Sequence, residues 1–225
     1  MKIFIPIKEN SQRVKRKNFR KLDGKIPLYK RTLYKFSDHT IYVDTDSDEI
    51  LREIKRDPKL SHVIGIKRKD YLMGDAVSVC ELIKDFAIEN GAKEPIAQIH
   101  VTSPFLKEQT LRKAYESLHL GSYDSVVSCN VLQTRLWRKE GYGYCPVNHN
   151  PLKLEQTQDL PEYYEENSAF YIFEPHLIAL RGNRIGEKPL FYPVSHPENF
   201  DIDTEQDWVK AKMMEEMSQT LLRKK

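Results

Sequence analysis

The sequence predicts an α/β fold with a mostly parallel central sheet covered by helices. Two observations carry that expectation. Short apolar runs of strand length alternate repeatedly with segments of helical periodicity, which is the signature of stacked βαβ units. A single polar stretch, residues 130–166, interrupts the alternation with Gly141, Gly143, Pro146, Pro151 and Pro161 and reads as an excursion of hairpins and loops. At 225 residues, the chain is long enough to bury one large core, so residues 1–225 are expected to form a single domain.

Residues 2–7 form an apolar run suited to a buried strand, and 28–37 read as a short helix. A second strand is expected at 40–43, followed by a helix over 46–56 whose first turn is acidic, matching the positive end of the helix dipole. The third strand is placed at 62–66. Over 75–90, Val79, Leu82, Ile83 and Phe86 recur at helical spacing on one face. A fourth strand at 95–101, a helix at 107–120 and a strand at 124–129 precede the excursion. Strand character returns at 168–173 and again at 190–194. A final helix over 204–222 starts with Thr204 as its cap, and the tail 223–225 is expected to fray.

Composition narrows the function. Charged residues make up 31% with a net charge of only +3, a mixed surface rather than the concentrated basic footprint of a nucleic-acid binder. Basic residues are in local excess between Lys8 and Arg31. The three cysteines, Cys80, Cys129 and Cys145, lack CxxC spacing and argue against a disulfide framework or a zinc site. Residues 1–6 are too short, and cut by Pro6, to read as a signal peptide, and no segment has the apolar length of a membrane span. A cytoplasmic protein is expected.

Ligands of open parallel sheets bind beyond the carboxyl ends of the strands, so the loops after strands draw attention. The first runs from Lys8 through Asn10, Ser11, Gln12, Arg13 and Lys17 to Asn18, combining cations, a hydroxyl and amides able to surround a triphosphate. It lacks GxxxxGK[ST] and is not a P-loop. The same residues would serve equally as a solvated surface loop. Asp201 and Asp203 stand two apart, so in an extended segment they face one way and could share Mg²⁺ with phosphates; capping the next helix is the alternative. Thr102, Ser103 and Pro104 end a central strand as a recognition loop or as an ordinary turn, and Asn167 is either a ligand or a turn residue.

Taken in order, these segments resemble the acylneuraminate cytidylyltransferases, the CMP-sialic acid synthetases. Ile5-Pro6 through Lys17-Asn18-Phe19-Arg20 and Leu22-Asp23-Gly24-Lys25 resemble that family's opening nucleotide loop. Val43-Asp44-Thr45-Asp46-Ser47 resembles its second strand and turn, and Arg68, Leu72 and Asp75 its Arg–Leu–Asp segment. Thr102-Ser103-Pro104, Gln158-Asp159-Leu160-Pro161 and Asn167-Ser168-Ala169-Phe170-Tyr171-Ile172 follow. Ser195-His196 and Asp201-Ile202-Asp203-Thr204 close the set.

The resemblance implies a three-layer nucleotidyltransferase fold in which residues 130–166 are a dimerisation arm. It implies transfer of CMP from CTP to a nine-carbon 2-keto sugar acid, with loss of pyrophosphate. Catalysis would fall to Arg13, Lys17 and Asp203, and nucleotide binding to Lys8, Asn10, Ser11, Asn18, Arg68 and Asp75. Gln98, His100, Ser103, Arg138, Asn167 and Tyr171 would bind the sugar, and Asp201 and Asp203 would bind Mg²⁺. Four positions depart from the family pattern: Lys8 stands for Arg, Gln12 for Lys, His100 for Gln and Thr157 for the arginine that helps bind the sugar carboxylate. Arg135 or Arg138 is then the expected replacement cation, and the sugar is expected to differ from ordinary N-acetylneuraminic acid. The rivals are a Kdo cytidylyltransferase, whose loop also carries Ser-x-Arg, a glycosyltransferase with an Asp-x-Asp metal site, and a non-catalytic nucleotide-binding module.

Overall fold

The computed structural model describes residues 1–11, 13–91 and 93–223. Gln12, and residues 224 and 225 of the expected frayed tail, lie outside the described residues. The alternation resolves into β1 (Lys2–Ile7), α1 (Leu28–Lys35), β2 (Thr40–Thr45), α2 (Asp48–Arg56), β3 (Val63–Lys67), α3 (Val79–Glu89), β4 (Ile96–Ile99), α4 (Glu108–Leu120) and β5 (Ser125–Leu132). A hairpin of β6 (Trp137–Glu140) and β7 (Gly143–Pro146) follows, then β8 (Tyr163–Phe173), α5 (Pro175–Arg181), β9 (Pro189–Pro193) and α6 (Glu205–Arg223).

The seven-stranded sheet has the order β3-β2-β1-β4-β8-β5-β9. β1 pairs in parallel with both β2 and β4, so the strand order reverses around it. β8 runs antiparallel to β4 and β5 and is the exception in an otherwise parallel sheet. Side-chain alternation then builds two cores. Ile3, Ile5 and Ile7 of β1 pack with Leu33 of α1, Ile50 of α2 and Leu111 of α4, while Phe4 packs with Ile83 of α3 and Leu177 of α5. Helices therefore cover both faces, giving the three layers. α6 docks separately, with Trp208 and Ala211 against Leu22 and Leu28.

Several boundaries moved for identifiable reasons. The helix expected from residue 75 begins at Val79, because Ser78 and Glu81 form a reciprocal capping box. Ser47 caps α2, so that helix begins at Asp48 rather than 46. α5 was not anticipated, although Pro175 opens it and Gly182, at φ 65°, closes it in the left-handed conformation. The polar excursion is shorter than expected at both ends, since β5 continues to Leu132 and β8 begins at Tyr163. Thr204 does cap α6, its hydroxyl accepting from the Asp207 amide at 3.2 Å. No described helix is long and apolar enough to cross a membrane.

Candidate active site

Two chain segments far apart in sequence meet beyond the carboxyl ends of β1 and β4, at the point where strand order reverses. The first is the loop after β1. It is buttressed from below: Val14 is fully buried, the Asn18 side-chain amide donates to the Lys8 carbonyl at 2.7 Å, and the Glu9 amide donates to Asp46 Oδ1 at 2.7 Å. Arg16 adopts a left-handed conformation at φ 49°, unusual for a residue with a side chain. It is held there by Glu49 at 2.8 Å and by stacking 4.4 Å from the Phe19 ring centroid. That bend sends the chain into a 3-10 turn over Lys17–Phe19.

The second segment is 201–203. Ile202 is buried beside Leu22, Leu28 and Trp208, and its amide donates to the Thr102 carbonyl at 3.0 Å. This anchor fixes the acidic residues on either side of it. Arg13 engages Asp203 through both terminal nitrogens, at 3.0 and 2.9 Å. Lys17 donates to the Ile202 carbonyl at 2.5 Å, and its ammonium lies 3.8 Å from Asp203. Burial holds the Lys17 pKa below the ordinary lysine range, more than offsetting the attraction of Asp201 and Asp203. Lys8, Asn10, Ser11, Arg13, Lys17 and Asp75 line one cavity of about 200 Å³. Lys8 reaches the Gly74 carbonyl at 3.1 Å and Asp75 at 3.3 Å across its rim.

The acidic pair suits a divalent cation. Asp201 Oδ1 is buried with no hydrogen-bond partner. Burial, reinforced by the charge of Asp203, pushes the Asp201 carboxyl above its usual range, against a hydrogen bond from Thr102. A cation would relieve both. Among the described residues no group of three or more His, Cys, Asp or Glu side chains is arranged for a metal. An ion held here would therefore complete its shell with phosphate oxygens and water, as Mg²⁺ commonly does.

A second group of polar side chains lies on the sheet face that packs against α3 and α5. Gln98 is fully buried, and its side-chain nitrogen lies 2.6 Å from His100 Nε2. Arg184, on the loop after α5, donates to Gln98 Oε1 and stacks 3.5 Å from the Tyr171 ring centroid. Since a guanidinium only donates, the Gln98 oxygen must face Arg184 and its amino group His100. His100 Nε2 therefore accepts, which requires a neutral ring. Burial, with Arg184 and Lys17 nearby, agrees by lowering the His100 pKa to about 4. The Tyr171 hydroxyl donates to Glu166 at 2.8 Å.

Other expected site residues are placed differently. Arg68 is buried, with Nε 2.5 Å from Asp44 Oδ1 and Nη2 3.1 Å from the Asp44 carbonyl. Its guanidinium has no surface to offer a nucleotide, so it supports the end of β2 instead. Arg138 pairs with Glu140 on the β6–β7 hairpin, in a sheet separate from the site, and Arg135 donates to the Glu155 carbonyl. Ser103 is buried, and its hydroxyl has no partner. The Asn167 side chain bonds Asn130 at 3.1 Å and caps the Ala169 amide at 3.2 Å, a turn role beside Ser168 at φ 59°. Sequence reasoning missed Asp44, Asn130, Glu166 and Arg184. Asp44 lay inside a quoted motif and was assigned no role, and nothing in the local sequence distinguishes the other three.

Comparison with known proteins fits this geometry. The sequence model of the cytidylyltransferase family matches residues 3–225. An N-acylneuraminate cytidylyltransferase of Streptococcus agalactiae serotype V is 26% identical over 216 residues, which cover 91% of this chain but 51% of the relative. The chain thus spans about half the length of that relative. A CMP-N,N'-diacetyllegionaminic acid synthase of Legionella pneumophila is 27% identical over 236 residues, covering 97% of each chain. Among solved structures, a CMP:2-keto-3-deoxy-manno-octonic acid synthetase complexed with CTP superposes with a TM-score of 0.67 at 11% identity, over 96% of this chain and 98% of that one. At that identity the likeness speaks for the fold alone.

Proposed function

The chain belongs to the cytidylyltransferase family, and on that premise we propose that it transfers CMP from CTP to the anomeric hydroxyl of a sialic-acid-like 2-keto-3-deoxy sugar acid. The observation that carries the reading is the convergence of Arg13 and Lys17 on Asp203 at the rim of a cavity lined by Lys8, Asn10 and Ser11. Cations, amides and a hydroxyl there can surround a triphosphate, and two carboxylates stand beside them. The names of the streptococcal and legionella relatives support an acidic nine-carbon sugar as the acceptor.

In the proposed step, the sugar hydroxyl oxygen bonds to the α-phosphorus and its proton is released. The bond from that phosphorus to the bridging oxygen breaks, and pyrophosphate leaves with the electron pair. Lys8, Asn10, Ser11 and Asn18 would hold CTP from the loop. Arg13, which now forks onto Asp203, would turn to the phosphates as the nucleotide enters. Lys17 is held in place by the Ile202 carbonyl and would stay near the reacting phosphate. Asp201 and Asp203 would hold Mg²⁺, whose charge offsets that of the triphosphate. On the α3 and α5 side, Gln98 and Tyr171 are buried and would act by holding their neighbours, leaving half-buried His100 to contact the sugar. Residues 130–166 would serve as a dimerisation arm, supported by the exposed Trp137, Tyr142 and Tyr144 on the hairpin.

A pyrophosphate-release screen tests the reading, with CTP and Mg²⁺ against sialic, legionaminic, pseudaminic and Kdo acids. Release with a nine-carbon acid is expected. Release with Kdo alone would move the assignment to the eight-carbon branch, and CTP binding without release for any acid would favour a non-catalytic module.

A further inference from the structure

Arg184 is a half-buried cation without an acidic partner. Arg13, Arg68 and Arg138 are neutralised by Asp203, Asp44 and Glu140, whereas Arg135 donates to the Glu155 carbonyl on the separate hairpin side. Among the described residues, no carboxylate lies within ion-pairing distance of Arg184; it meets the Gln98 oxygen and the Tyr171 ring. A guanidinium carries five N–H donors and stays charged at any physiological pH. Gln98 occupies one of its nitrogens and the aromatic face orients its plane. The remaining donors are left for an anion.

We propose that Arg184 binds the carboxylate of the sugar acid from within the same subunit, with Gln98 and Tyr171 as its positioning residues. This rests on the acceptor assigned above. The phosphates have their own cations in Lys8, Arg13 and Lys17, and Arg184 is not part of that lining. It stands instead with Gln98 and Tyr171, both on the sheet face against α3 and α5. A planar fork matches a carboxylate in two parallel hydrogen bonds, which the point charge of a lysine does not. Neutral His100 beside it contributes a ring without a competing charge.

The test compares wild type with Arg184→Gln and Arg184→Lys. The probe is whichever of N-acetylneuraminic, N,N'-diacetyllegionaminic, pseudaminic or Kdo acid the wild type turns over fastest, with its methyl ester as a competing ligand. Arg184→Gln is expected to raise the sugar KM on the order of 10- to 100-fold, the value of charge-assisted bonds to one carboxylate. The CTP KM and the urea midpoint should hold, and the preference for acid over ester should collapse. Arg184→Lys should fall between. Equal KM values for wild type and Arg184→Gln, or a preserved acid preference, would overturn the inference while leaving the transferase reading intact. Wild type that turns over none of the four acids would overturn that reading and this inference with it.

Discussion

Replacing Arg68 with methionine separates a buried support from a nucleotide contact. The pair is desolvated, with side-chain exposures of 1% for Arg68 and 6% for Asp44. Removing one member of such a pair typically costs about 3–5 kcal/mol, because the other charge is stranded. Asp44 sets a ceiling on that cost, since it can take up a proton instead. Burial already pushes its carboxyl above the ordinary 3.8, even with Arg68 beside it. Neutralising it at pH 7 costs about 1.36 kcal/mol for each pH unit above 3.8, or ~4 kcal/mol. The native variant then binds one proton more than its unfolded chain, so its stability rises as pH falls toward the unfolded value. The deficit against wild type should shrink as the pH falls from about 7 to about 5.5. Urea unfolding of wild type, Arg68→Met and Arg68→Met with Asp44→Asn measures this, and the double variant should recover part of the loss. An Arg68→Met protein within about 1 kcal/mol of wild type that no longer binds CTP would refute the structural role.

Asp203→Asn should lower kcat by two orders of magnitude or more while CTP binding, followed by calorimetry, changes far less; equal loss of binding and of fold would mark Asp203 as a structural residue. His100 is held neutral with a pKa of about 4, below its ordinary 6.5. The unfolded chain therefore binds the extra proton between those values, and stability should fall as pH drops from 6.5 to 4. His100→Gln should flatten that slope in urea titrations at successive pH values. Deleting residues 137–146 should convert a dimer to a monomer by light scattering at micromolar concentration; a monomeric wild type would remove the assignment of an arm.

How much of this the sequence revealed depends on whether the signal is local. β1, β2 and α3 announce themselves through apolar runs and helical spacing, because burial on one face leaves a period in the chain. The direction of β8 does not. Its composition would suit either orientation, and only the return path from β5 through the hairpin makes it antiparallel. That Lys8, Asn10, Ser11, Arg13 and Lys17 line one cavity follows from their sharing one loop. The burial of Arg68 against Asp44 was not legible, because burial of a cation is decided by what folds over it. Arg184 was invisible because its meaning comes from Gln98, 86 residues away.

The ion pair between Arg13 and Asp203 joins residues 190 positions apart, and Lys17 reaches the Ile202 carbonyl across 185. During synthesis Arg13 and Lys17 emerge well before the segment that carries Ile202 and Asp203. Contacts of such separation are slow to form, since a long loop must close before any of them is gained. The nascent protein is therefore expected to fold its strands first and to bring the 201–203 segment against Arg13 and Lys17 late. A ribosome-held chain ending before residue 201 would leave Arg13 and Lys17 without Asp203, while Lys8 and Arg16 could already meet Asp75 and Glu49.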